Sequence, residues 1–171
     1  LPLGDLSSHQ MRSLADISEK YVGDTVRTTV EQNIVLRWIN AGDLIDLYNE
    51  LKKNGLADPG AGSIVDITAC PGTDTCKLGI ASSRGLAAEL REMLTPKQLE
   101  LDEAVQNIRI KISGCFNSCG QHHIADLGFY GNSRTFKGYK VPHFQVVLGG
   151  QWNNNAVSFG MAMGAIPSKN I

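Results

Sequence analysis

Two cysteine pairs, "CPGTDTC" at residues 70–76 and "GCFNSCG" at residues 114–120, constrain this chain more than any other feature. Each pair is tight and lies among glycines, and together they use all four cysteines of a 171-residue chain. Closely spaced thiols serve as metal ligands, redox partners or disulfide halves, so the fold must present both loops in usable positions. The apolar stretch "SIVDITAC" predicts a strand that delivers Cys70. In "NIRIKISGC", Ile108, Ile110 and Ile112 alternate with polar residues, which predicts a half-buried strand delivering Cys115. Neighbouring strand ends in one sheet reach the same edge, so both loops can belong to a single four-sulfur site.

The rest of the chain reads as helices and strands around those loops. "SSHQMRSLADISEKY" predicts a helix capped by Ser7 or Ser8, with Met11, Leu14, Ala15 and Ser18 at helical spacing. "DTVRTTV" and "NIVLRWI" predict two strands. "GDLIDLYNELKKNG" predicts a helix capped by Asp43, with Leu44, Leu47, Tyr48 and Leu51 as its apolar stripe and Gly55 past its end. "ADPGAG", residues 57–62, is a turn-rich joint, and the domain boundary is placed there. "SSRGLAAELREML" predicts a helix, and a short second one starts at Pro96. "IADLGFYG" and "VPHFQVVLGG" predict two more strands, joined by "NSRTFKGYK" as a polar, exposed loop.

Composition removes several classes of function. Lys and Arg number 16 against 17 Asp and Glu, which gives no electrostatic reason for a nucleic acid or an anionic membrane as partner. No apolar run approaches the length of a membrane span. Four cysteines are too sparse for a disulfide-stapled mini-protein. With no secretory signal visible, the expected location is a reducing compartment, the cytoplasm. The first residue is Leu1 rather than Met, and the chain is expected to be a piece of something longer.

Four readings of the cysteines stand open on the residues alone. They are buried structural thiols, two local disulfides, a zinc site using Cys and His, and an iron–sulfur cluster. A structural zinc site uses short Cys and His spacings, but neither pair here has the common two-residue gap. A cluster is anionic and needs backbone N–H groups aimed at its sulfurs, which the nearby Gly72, Gly79, Gly114 and Gly120 permit. His122 and His123 are read as surface or hydrogen-bonding residues and are not assigned to metal.

"CPGTDTCKLGI" followed by "ISGCFNSCGQHHIADLGFYG" closely resembles the siroheme-dependent sulfite and nitrite reductases. Cys70, Cys76, Cys115, Asn117, Cys119 and Gly120 all fit that family's paired-cysteine signature, and "LGG" at residues 148–150 is similar to one of its glycine turns. "VRTTVEQNIVLRWI" is similar to the Arg-x-Thr-x-x-Gln-Asn stretch of the family's ferredoxin-like half domain, and "DLIDLYNELKKNGL" to the helix after it. The likeness runs from about Leu3 to about Pro167 and is weakest after Gly150.

The resemblance implies an α+β chain. A ferredoxin-like half domain at residues 1–58 precedes an α/β siroheme–[4Fe-4S] domain with a mixed sheet at residues 59–171. It implies that Cys70, Cys76, Cys115 and Cys119 hold a [4Fe-4S] cluster, with Cys119 also the axial sulfur on the siroheme iron. Arg27, Gln32, Asn33, Lys77, Arg84 and Asn117 would then cradle the carboxylate-rich siroheme. The plainer reading of Arg27 and Lys77 is a solvated surface charge, and of Asn117 a residue that holds its own loop. The implied activity is six-electron reduction of sulfite to sulfide or nitrite to ammonia, with electrons from ferredoxin or a flavoprotein. This chain would be the C-terminal half of such an enzyme. The basic residues that grip the substrate would lie in the N-terminal half, and the fragment alone would be inactive. The competing class is a non-catalytic, zinc-stabilised module built on the same four cysteines.

Overall fold

A capping box opens the first helix of the computed structural model. The Ser7 hydroxyl accepts the Gln10 N–H at 3.1 Å, and the Gln10 side chain accepts the Ser7 N–H at 3.0 Å. The structure describes residues 1–23, 25–153 and 158–171, so Asp24, where the first predicted strand begins, and residues 154–157 lie outside it. It divides into two units, Leu1–Ala61 and Gly62–Ile171, a division that falls within the turn-rich joint.

In the first unit, α1 (Ser8–Val22) leads to the antiparallel pair β1 (Val26–Thr28) and β2 (Ile34–Leu36), then to α2 (Leu44–Lys53). Leu14 and Ile17 of α1 and Leu47 of α2 are its buried apolar residues. Tyr21 on α1 donates to Glu50 on α2 at 2.9 Å. Asp43 does not cap α2 with its side chain. A 3-10 turn, Ala41–Asp43, runs straight into the helix, so Asp43 is already helical, whereas a side-chain cap needs extended backbone. Its carboxylate accepts from the Asn40 amide at 3.2 Å instead. The expected apolar stripe is buried only at Leu47, since Leu44 and Tyr48 are exposed. Gly55 ends the helix in a left-handed conformation, with Leu56 N–H bonded back to Leu51 C=O at 2.9 Å.

The second unit is a five-stranded mixed sheet in the order β3 (Thr68–Ala69), β4 (Ile110–Ser113), β5 (Leu127–Phe136), β6 (Tyr139–Leu148), β7 (Met161–Pro167). The first three strands run parallel and the last three antiparallel. Helix α3 (Ser83–Leu94) packs on β3 and β4, and the short α4 (Glu103–Gln106) precedes β4. The strand expected over residues 63–70 shrinks to two residues, because Gly62 to Asp66 form a turn closed on the Asp66 carboxylate. The segment read as a loop, residues 132–140, is instead the far half of a ten-residue hairpin pair. Its turn, Lys137–Gly138, has positive φ at both residues, which suits the right-handed twist of the strands it joins. Strand β7 lies in the weakly matching tail and was not anticipated.

Strand β4 is buried at all four positions rather than half-buried. It sits between two parallel neighbours, and both of its faces are covered. Ile110 and Ile112 supply the apolar face. Lys111 and Ser113, on the other face, are covered by residues 114–124, which double back over them. Lys111 donates to Gln121 Oε1 at 3.0 Å, and the Ser113 hydroxyl accepts the Gly120 N–H at 3.0 Å. Ile112 is fully buried at the centre of this arrangement. Truncating it to Ala is expected to lower the unfolding free energy of the second unit by about 2–5 kcal/mol. Trp152 fluorescence during urea denaturation, read in a Trp38→Phe background that silences the first unit, checks the value.

Candidate functional site

The two cysteine loops leave the same edge of the sheet. Cys70 follows β3, Cys115 follows β4 by two residues, and the two strands are parallel neighbours. The ladder extends into the loops, with Cys70 N–H bonded to Ile112 C=O at 3.1 Å. Gly114 then joins the loops from both of its backbone groups. Its N–H donates to Cys70 Sγ at 3.1 Å. Its C=O accepts the N–H groups of Ile80 at 2.8 Å and Ala81 at 3.1 Å. Such approach requires glycine. A Cβ on Gly114 would lie 2.5 Å from Gly72 Cα, and one on Gly120 would lie 2.1 Å from Ile112 O.

Four free thiols result, in two environments. Cys70 and Cys115 are buried, whereas Cys76 and Cys119 are exposed. Neither local disulfide forms. The Cys70 sulfur receives the Gly114 N–H and also lies 3.5 Å from the Ser83 hydroxyl, which donates to Cys70 C=O at 2.6 Å. Exposed apolar side chains, Leu78 and Phe116, flank the two exposed cysteines. Among the described residues, no three Cys, His, Asp or Glu side chains stand close enough to hold one metal ion. A single zinc draws four sulfurs onto one centre. A four-iron cube would need all four thiolates at the edge the two loops share.

Among the other expected site residues, Lys77 and Asn117 are exposed in the two loops. Arg84, in the first turn of α3, reaches the Asp74 carboxylate of the first loop at 3.9 Å. Arg27, Gln32 and Asn33 belong to the first unit. Arg27 is exposed on β1, and Asn33 N–H donates to Thr29 Oγ1 at 3.2 Å. Asn33 Oδ1 accepts from the Leu1 nitrogen, and Gln32 holds a left-handed φ of 62°.

Sequence reading missed the supports of the site: Ser83, Ser113 and the interior role of His122. His122 was expected as a surface or hydrogen-bonding residue. It does hydrogen-bond, with Nδ1 at 2.8 Å from Ser113 Oγ, but it is fully buried. Its ring packs 4.6 Å from Tyr130 and 4.1 Å from His123. Burial, with the His123 ring as a lesser cause, pushes its pKa down from 6.5 to about 4. The glycines in "GFYG" were the available signal, since glycine inside a strand marks a close backbone approach. A Cβ on Gly131 would lie 2.0 Å from Gly114 O, and one on Gly128 would lie 2.1 Å from His122 O.

Comparison with known proteins gives concordant matches. Residues 1–54 match the "Nitrite/Sulfite reductase ferredoxin-like half domain", and residues 60–164 match the "Nitrite and sulphite reductase 4Fe-4S domain". The chloroplastic ferredoxin–nitrite reductase of Spinacia oleracea is 29% identical over all of this chain and 28% of its own length. Sulfite reductase [ferredoxin] 2 of Mycolicibacterium paratuberculosis is 32% identical over 86% of this chain and 27% of its own length. The chain thus spans under a third of these relatives. The Mycobacterium tuberculosis NirA structure superposes with a TM-score of 0.86 at 30% identity, covering all of this chain and 32% of that one. Dissimilatory sulfite reductase I superposes at 0.68 with 11% identity, covering 97% of this chain and 56% of that one, a likeness of fold.

Two outcomes are expected. Gly114→Ala sets a methyl group against the Gly72 backbone and should cost about 1–3 kcal/mol, seen as a lower melting temperature of the second unit. The second outcome concerns pH. Between 6.5 and about 4 an unfolded His122 takes up a proton that the folded ring refuses. Its contribution to stability is therefore intact above pH 6.5 and is lost as the pH falls towards 4. Urea titrations across this range should show that slope, and His122→Phe should lack it.

Proposed function

This chain belongs to the nitrite and sulfite reductase family, whose cofactors are a [4Fe-4S] cluster and siroheme, and from that premise we propose that it forms the cluster-holding part of an assimilatory reductase. The reaction is the six-electron reduction of sulfite to sulfide or of nitrite to ammonia. The observation that carries the reading is the joining of two cysteine loops at one sheet edge through Gly114. In this reading Cys70, Cys76, Cys115 and Cys119 would hold the cluster, and Cys119 would also serve the siroheme. When bound, the coupled cofactors supply the redox chemistry, and the chain supplies position and charge.

The chain's own residues divide that work. Gly114 N–H donates to Cys70 Sγ, which stabilises negative charge on sulfur. Lys77, Arg84 and Asn117, around the loops, would hold siroheme carboxylates, and for Arg27, Gln32 and Asn33 the family resemblance alone carries that role. Arg84 does so while tied to Asp74. Leu78 and Phe116 offer exposed apolar surface to a flat macrocycle. Exposed Leu44 and Tyr48 on α2 fit a half domain that completes itself against an N-terminal half. That half brings the basic residues for the substrate oxyanion, so this chain alone is inactive. Ferredoxin, named in the relatives above, or a flavoprotein supplies electrons. No helix among the described residues is long and apolar enough to cross a membrane, and four free thiols suit the cytoplasm. The zinc-stabilised module is not favoured, given the family.

Anaerobic reconstitution with iron and sulfide tests this. The expected product is a brown protein with acid-labile sulfide, and Ser at any of the four cysteines should remove most of the iron. A colourless protein that takes up one zinc and no iron overturns the reading. With a chemical reductant, the chain should turn over neither sulfite nor nitrite, and a rate equal to that of an intact enzyme overturns the division of labour.

A further inference from the structure

We propose that His122 and Ser113 form a positioning pair that sets the turn carrying Cys119. Cys119 is exposed, so packing does not hold it in place. The turn around it is strained: Ser118 and Gln121 have φ near 60°, a conformation that non-glycine residues adopt only when their surroundings impose it. The anchor is the next residue. Gly120 N–H donates to Ser113 Oγ at 3.0 Å, and Ser113 Oγ lies 2.8 Å from His122 Nδ1. Ser113 and His122 are both buried almost completely. A second polar side chain of β4 grips the same turn, since Lys111 Nζ donates to Gln121 Oε1 at 3.0 Å.

The donors and acceptors fix the direction of this pair. Ser113 Oγ accepts from Gly120, and among the described residues its own proton has His122 Nδ1 as acceptor. The ring is then the Nε2–H tautomer, and buried Nε2 has no partner among the described residues. An orphaned buried donor is costly. Phenylalanine would stack on Tyr130 and His123 without that cost, so the imidazole is there for Nδ1 rather than for ring packing. Held by Nδ1, the Ser113 hydroxyl keeps its lone pairs on Gly120, and the backbone following Cys119 has one position.

The hydrogen-bond part of this inference concerns the protein alone, while its consequence for a cluster rests on the reading of Cys119 as a ligand. The test separates them. Amide hydrogen exchange on the cofactor-free full chain, compared across Ser113→Ala, His122→Phe and His122→Asn, reads the anchor directly. The first two variants should speed exchange at Gly120 and Gln121 by more than about tenfold while the rest of the sheet keeps its protection. His122→Asn, which returns an acceptor near the Nδ1 position, should restore it. In the reconstituted protein, the same two variants should change the electron paramagnetic resonance spectrum of the reduced cluster, and His122→Asn should not. Unchanged exchange at Gly120 in Ser113→Ala or His122→Phe overturns the pair. So does a rise spread evenly over the sheet in all three variants, which assigns His122 to packing. Exchange that behaves as expected in a chain that binds no iron leaves the pair standing and sinks the ligand reading.

Discussion

The second unit depends on a close approach between two glycines. Gly72 and Gly114 come so near that a Cβ on Gly114 would sit 2.5 Å from Gly72 Cα. Two parallel strands can deliver two loops to one edge, but they do not make the loops touch. Contact arises because neither backbone carries a side chain there, so the Gly114 N–H and C=O reach Cys70, Ile80 and Ala81 directly. Hydrogen bonds between loops are normally weak organisers because water competes for them. Here they are buried, and burial raises the cost of breaking them.

The same economy of space explains the polar residues on β4. A central parallel strand is ordinarily apolar on both faces. This one keeps Lys111 and Ser113, since the loop that follows it folds back and presents Gln121, Gly120 and His122 as partners. The polar groups are thus satisfied by the segment they organise. Strand β5 completes the fit with Gly128 and Gly131 beneath the carbonyls of His122 and Gly114. Strand, loop and next strand are one packing unit, and a side chain added at any of these glycines disturbs all three.

Much of this was legible in the sequence, for local reasons. The Ser7 cap and the Gly55 stop are short-range features, and they open and close helices as expected. The delivery of both cysteine pairs by adjacent strands was also readable, because apolar runs end at each pair. What escaped was tertiary. Lys137–Gly138 makes a tight hairpin turn without the Asn-Gly or Asp-Gly signal, so two halves of long strands looked like a polar loop. Strand β7 carries small residues and a proline and lies at the sheet edge, where the period-two pattern is weakest. Leu44 and Tyr48 keep helical spacing yet stay exposed, since spacing marks a face and says nothing of what covers it. The burial of His122 escaped because the strands on either side of its loop, at Ser113 and Tyr130, fold over it, which no local pattern announces.

The unequal exposure of the sulfurs has a chemical consequence. Folding alone shields Cys70 and Cys115, while Cys76 and Cys119 face solvent. Peroxide meets the outer two first and converts them to sulfenic acids, which thiols can reverse. The inner two are spared until the unit itself opens, so oxidation falls on one thiol of each loop and leaves the other intact.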